Sequence, residues 1–188
     1  MQQEIITFGH YAGVPIEWLV LDREGGRRLL LSREVLEAKK YLPDCIYASW
    51  QGSAVRSWLN GAFCDAAFDA AEQSRICHAT LQTPHPMGEE QTQDRIFLLT
   101  RAQVERYFPH PDDRIAQPNA AACRESRDLR DFLSLLPYYQ GVRGCWWWLR
   151  DLYREPNQAY LVWSDGTFCG EGHYVNYERG IRPALWLA

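Results

Sequence analysis

Cys169 and His173 stand four positions apart, and a thiol within reach of an imidazole is the pairing a cysteine nucleophile needs. They flank Gly170 and Gly172, and only Glu171 offers a carboxylate to orient the base. The plainer reading is a glycine-rich β loop. Cys64, Cys77, His78 and His85 supply thiolate and imidazole, which are zinc ligands. Cys77 and His78 are adjacent, no C-x-x-C pair occurs, and the spacing matches no zinc knuckle. Cys77 is expected to pack inward and His78 to face out. Asp112, Asp113 and Arg114 read as a solvated loop, with Arg114 paired to a neighbouring carboxylate. No glycine-rich phosphate cradle of either common spacing is present. The sequence therefore leads to no catalytic residues, no metal ligands and no cofactor.

The composition points to binding instead. The chain has 188 residues, with 8 Trp, 10 Tyr and a net charge of −4. That length suits one domain over 1–188 with a core of its own. The acidic balance argues against a broad basic surface for nucleic acid. No basic, then apolar, leader opens the sequence, and no window approaches the roughly 18 apolar residues of a membrane span. No membrane association and a cytoplasmic location are expected. The six cysteines then read as reduced thiols rather than a disulfide framework. Lysine is confined to Lys39 and Lys40, so the basic residues are nearly all arginine, which stacks on aromatic rings. Arg150 and Arg182 are expected to stack in this way, or to tie strands to loops as buried architectural groups.

The elements that must position these residues begin with strands over 5–31, turning at Ala12–Pro15 and at Glu24–Gly26. Ser32 is placed to cap a helix over 33–41. A helix from Ser53 buries Val55, Trp58, Leu59, Ala62 and Phe63 and ends at Asn60-Gly61. Asp69-x-x-Glu72 and Thr100-x-x-Gln103 are capping boxes for two more helices. Residues 82–94, polar with two prolines, read as a surface loop, and 96–99 as a buried strand. LLLSREVLE and FLLTRAQVE echo one strand–cap–helix unit. Residues 109–144 are irregular with a helix in 118–136, and 145–188 return to strands with turns at EPNQ, SDG and ERG. The result is an α+β molecule whose first and last strands share a sheet.

Several segments together carry a resemblance: I-T-F-G-H-Y and P-I-E-W-L-V-L-D at the start, S-x-x-R-S-W-L-N at 53–60, and D-R-I-F-L-L-T at 94–100. W-W-L-R at 147–150 and G-I-R-P-A-L-W-L at 180–187 complete the series. It resembles a bacterial domain family of unknown function, common in gut anaerobes. The resemblance implies a C-type-lectin-like fold related to formylglycine-generating-enzyme domains: mixed and antiparallel sheets, flanking helices and adjacent termini. It also implies that ligands meet the C-terminal half.

Three properties of wider relatives bear on that half. Calcium-dependent lectins use an E-P-N loop and a later W-N-D. This chain has Glu155-Pro156-Asn157 and Trp163-Ser164-Asp165, which lack the asparagine and come too close together, so a turn between strands is the expectation. The cysteine pair of formylglycine-generating enzymes has no counterpart in Cys145 and Cys169. Some domains of this fold are the variable proteins of diversity-generating retroelements, and Asp165, Phe168, His173, Tyr174, Asn176 and Tyr177 are residue types such diversification reaches.

In the Trp146-Trp147-Trp148 run, strand alternation puts Trp147 and Leu149 opposite Trp146 and Trp148, with one side core and the other a base for binding if exposed. The expected role is a non-enzymatic module for a protein or glycan ligand. Its expected ligand-binding residues are Trp147, Arg150, Trp163, Asp165, Phe168, His173, Tyr174, Asn176 and Tyr177. The alternatives are an enzyme of unreadable chemistry on the same scaffold, or an interaction domain of a larger assembly.

Overall fold

Two glycine-bearing turns set up the first sheet. Ile5–Tyr11 (β1) and Val14–Glu24 (β2) join through Ala12-Gly13, at φ 51° and 73°. Gly25-Gly26, at 55° and 82°, leads into Arg27–Ser32 (β3). Paired positive φ values match the right-handed twist of a tight hairpin. The computed structural model describes residues 3–44, 47–135 and 144–188.

The final strand, Ala184–Leu187 (β13), pairs antiparallel with β3, with Leu185 opposite Leu30. On its other side it pairs with Ile76–Cys77 (β5) and Ile96–Phe97 (β8). The first and last strands thus share one sheet, as expected. They are not neighbours: β2 and β3 stand between them, a gap of about 14 Å at the usual strand spacing.

The second sheet runs His173–Tyr174 (β11), Gln158–Val162 (β10), Trp147–Leu152 (β9), Glu178–Ile181 (β12), Glu37–Lys40 (β4). It is mixed, because β9 and β12 are parallel, with Gly180 opposite Trp147. Ala79–His85 (β6) and Gly88–Asp94 (β7) form a separate hairpin. The architecture is α+β and sheet-rich, with curled, largely antiparallel sheets braced by short helices.

Several expectations are corrected by the structure. The helix over 33–41 does not form. The Ser32 hydroxyl donates to Glu34 O instead of capping, and Glu37–Lys40 is strand β4 on β12. Strand pairing overrides the helix preference of Glu-Ala-Lys-Lys, and the strand–cap–helix echo fails with it. The loop expected over 82–94 is the β6–β7 hairpin, with Thr83, Thr92 and Asp94 buried. The ERG turn is part of β12.

The helix from Ser53 does not end at Asn60-Gly61. It continues as Ala54–Trp58 (α1), a π turn over Leu59–Phe63 and Cys64–Ala67 (α2). The π turn inserts a residue, so Ala62 is exposed while Phe63 and Cys64 are buried. Asn60 instead holds the entry to β8, with Nδ2 donating to Ile96 O at 2.8 Å and Oδ1 accepting from Arg95 N at 2.9 Å.

Both capping boxes are present. Asp69 and Glu72 open Ala70–Arg75 (α3), and Thr100 and Gln103 open Arg101–Tyr107 (α4). Pro111–Arg114 (α5), Ala120–Glu125 (α6) and Arg127–Leu135 (α7) fill the middle third. Arg114 is not in a solvated loop. It is buried, donates to Phe108 O at 2.7 Å and lies 4.3 Å from the Phe168 ring.

One core cluster takes residues from both sheets and the helices. Trp18 donates from Nε1 to Phe8 O at 2.7 Å, and Trp50 donates to Asp94 Oδ2 at 2.9 Å. The hairpin is fastened by the same carboxylate, since Asp94 Oδ1 meets Arg56 Nε at 2.6 Å.

Candidate functional site

Strand alternation divides the Trp run as expected, but neither side is open. Trp147 is 1% exposed, donates from Nε1 to Arg114 O at 3.1 Å and stacks 4.7 Å beneath the Arg182 guanidinium. Arg182 in turn donates to Ser32 O at 3.1 Å, so it ties the link between β12 and β13 to β3, and burial pulls its pKa down to about 9. Trp148 is buried against Tyr41, at 5.8 Å between rings, and donates to Lys39 O.

Trp146 lies in a cluster formed at the β10–β11–β12 end of the second sheet. Its ring is 4.7 Å from that of Trp163, and the Arg179 guanidinium sits 4.8 Å from it. His173 is 5.9 Å from Trp163 and accepts at Nε2 from Arg179 Nη2 at 3.0 Å. That bond sets the tautomer: Nε2 is the bare nitrogen, and Nδ1 carries the proton towards Tyr174 O. Burial, and then the Arg179 charge, lower the His173 pKa to about 4, so the imidazole is neutral at pH 7.

Tyr174 and Tyr177 close the cluster on the solvent side. They are 48% and 51% exposed, with ring centroids 6.5 Å apart. Tyr177 lies 5.4 Å from both the His173 ring and the Arg179 guanidinium. The turn between β11 and β12 places them, and the buried Val175 between them anchors it by donating to Asn157 O at 3.0 Å.

The expected site residues therefore separate. Trp163, His173, Tyr174 and Tyr177 come together. Trp147 and Arg150 are core, at 1% and 2% exposed, and cannot present a side chain to a macromolecule. Asp165 is exposed and accepts from Thr167 N and Oγ1, which folds the turn after β10. Phe168 packs beneath Arg101 and Arg114, at 5.0 and 4.3 Å. Asn176 is half-buried, and its Oδ1 meets no hydrogen-bond partner among the described residues. Arg179 and Trp146 join the cluster although they are not among the expected ligand residues. Arg179 is two positions past Tyr177 on an edge of the same turn, which strand alternation alone cannot orient.

The thiol chemistry weighed from sequence finds no support in this geometry. Cys169 donates to Gly172 O at 3.0 Å, and burial raises its pKa, which disfavours the thiolate. The base capacity of His173 is committed to Arg179. Of the six cysteines, Cys45 lies outside the described residues. The other five are free thiols, with Cys64, Cys145 and Cys169 buried. Cys77 is half-buried and His78 exposed. Among the described residues no group of three or more His, Cys, Asp or Glu is arranged to hold a metal ion. Glu155, Pro156 and Asn157 form the turn between β9 and β10, where Gln158 N donates to Glu155 O at 3.1 Å. Among the described residues no helix is long and apolar enough to cross a membrane.

No curated protein and no solved structure matches the chain. The model of a family described as a domain of unknown function, DUF6273, matches residues 25–188, which takes in everything from the Gly25-Gly26 turn onward and leaves β1 and β2 outside. The C-terminal sheet and its aromatic cluster lie inside the match, and the chain belongs to the DUF6273 family.

Proposed function

We propose that the protein is a non-enzymatic binding module that meets a protein or glycan ligand through Tyr174 and Tyr177. One observation carries this reading. These two rings are exposed side by side, while beneath them the buried Arg179 is bonded to the half-buried His173. Tyrosine gives a large contact area for little lost rotamer freedom, which is why it is common at binding surfaces. Arg179 and His173 hold the rings from below, so the face is set before a ligand arrives and less ordering cost falls on binding.

The finer reading is that the sheets and helices form a C-type-lectin-like domain over 1–188 and that its C-terminal face is the ligand side. Its most specific form is the variable protein of a diversity-generating retroelement. That form requires a near-copy of the last coding stretch downstream in the DNA, differing at adenines, beside a reverse transcriptase gene.

The binding proposal is tested on glycan and peptide arrays with the wild type and with Tyr174 and Tyr177 both replaced by alanine. Signals lost in the variant, with unchanged thermal unfolding, support the face. Signals retained in full by the folded variant overturn it.

A further inference from the structure

A separate cleft of about 330 Å³ opens where the base of the β6–β7 hairpin meets β13 and the start of α4. Its polar walls are Thr80, Gln82, Thr100 and Gln103, with Trp186 beside them and Arg150 at its inner end. No acidic side chain lines it.

Arg150 is the unusual member. It is buried, and its three hydrogen bonds all go to neutral acceptors: Nε to Thr83 Oγ1 at 2.8 Å, Nη1 to Leu98 O at 2.9 Å and Nη2 to Gln82 O at 3.2 Å. It forms no ion pair among the described residues; the negative charges of Asp151 and Asp94 reach it only through space. Burial lowers its pKa to about 10, which still leaves it charged at neutral pH. A buried cation with no carboxylate in direct contact is costly, and an anion hydrogen-bonded to it would offset that cost.

Nη2 bonds to Gln82, an exposed residue of the cleft wall, whereas Nε and Nη1 bond to the buried Thr83 and Leu98, so Nη2 is the end on the cleft side. A guanidinium has five N–H groups, and the second N–H of Nη2 remains for a ligand. The capping box adds donors. Thr100 Oγ1 accepts from Gln103 N, leaving its O–H to donate, and Gln103 Oε1 accepts from Thr100 N, leaving its NH₂. Arg27, on the Trp186 ring at 5.2 Å, is already paired with Glu24. The cleft thus offers one positive charge without a direct ion pair, several neutral donors and an indole face.

We propose that this cleft binds a small organic monocarboxylate, with the carboxylate on Arg150 Nη2 and the Gln103 amide and the body of the ligand against Trp186. One unpaired cation matches one negative charge; a dianion such as phosphate would leave a net negative charge among neutral donors. The site shares no residue with the Tyr174–Tyr177 face and does not depend on it.

The test is a titration of the ¹⁵N-labelled protein with sodium benzoate at constant ionic strength, with sodium chloride and sodium phosphate as comparison arms. The expected result is saturable shifts at Gln82, Thr100, Gln103 and the Trp186 indole N–H, with a Kd on the order of millimolar. Gln103→Glu keeps an acceptor for Thr100 N, so the cap survives, but places a carboxylate in the cleft. It is expected to weaken benzoate binding at least about tenfold with unchanged thermal unfolding. Non-saturable or scattered shifts overturn the proposal. So does undiminished binding by folded Gln103→Glu, or a response to phosphate at lower concentration than to benzoate.

Discussion

His173 gives the cluster beneath the tyrosines a pH signature. Its folded-state pKa is about 4, whereas an unfolded histidine titrates near 6.5. Between those values the unfolded chain binds a proton that the folded chain refuses, so stability falls as pH drops from about 6.5 to about 4. At pH 7.5 neither state is protonated and the effect is negligible. At pH 5.0 linkage gives a loss of about 1–2 kcal/mol, the lower figure allowing for solvent screening at the ring's open edge. His173→Gln keeps an acceptor for Arg179 and cannot titrate. Urea unfolding of both proteins at pH 7.5 and 5.0 isolates this contribution, because the other titrating groups are common to both. The wild type should lose about 1–2 kcal/mol more than the variant over that interval. Equal losses would show that His173 titrates normally, and would refute both its burial beneath the tyrosines and its bond to Arg179.

Three further changes test the scaffold. Gly166 has φ 82°, and a Cβ there would fall 1.8 Å from Pro111 O, so Gly166→Ala should cost at least about 2 kcal/mol in urea unfolding. Gly61→Ala, at an open helical position, should cost nothing and add up to about 1 kcal/mol. Arg56→Met strips the buried Asp94 carboxylate of its cation, for a loss of about 3 kcal/mol. Amide exchange in β6–β7 should rise with it, since Asp94 also takes the Trp50 and Thr92 bonds that hold the hairpin.

Local signals were legible in the sequence wherever short-range chemistry decides the outcome. The two turns of the first sheet, both capping boxes and the strand nature of 147–152 and 184–187 follow from residue type and spacing. Distant partners decided the rest. Glu37–Lys40 becomes a strand because Glu178–Ile181 pairs with it, and nothing within 33–41 announces that. The β6–β7 hairpin buries Thr83, Thr92 and Asp94, so its inward face is polar and gives no apolar alternation, yet Asp94 holds it to Arg56 and Trp50. The three tryptophans alternate as the strand demands, but what covers each face comes from far away: Arg182 on Trp147, Tyr41 on Trp148, Arg179 on Trp146. Hence the site residues in the β11–β12 turn emerge on one face, while Trp147 and Arg150 withdraw into the core.

The account rests on the Tyr174–Tyr177 face being where a ligand binds. Its most direct test is the Kd of the strongest array ligand, measured for the wild type and for Tyr174→Ala/Tyr177→Ala, with tryptophan fluorescence reporting on Trp163 and Trp146 beneath the rings. Two aromatic anchors at about 1–2 kcal/mol each predict a weakening of roughly 30- to 1,000-fold, and an emission shift on binding that the variant lacks. A Kd within about twofold of wild type in a variant of unchanged thermal stability would contradict the account.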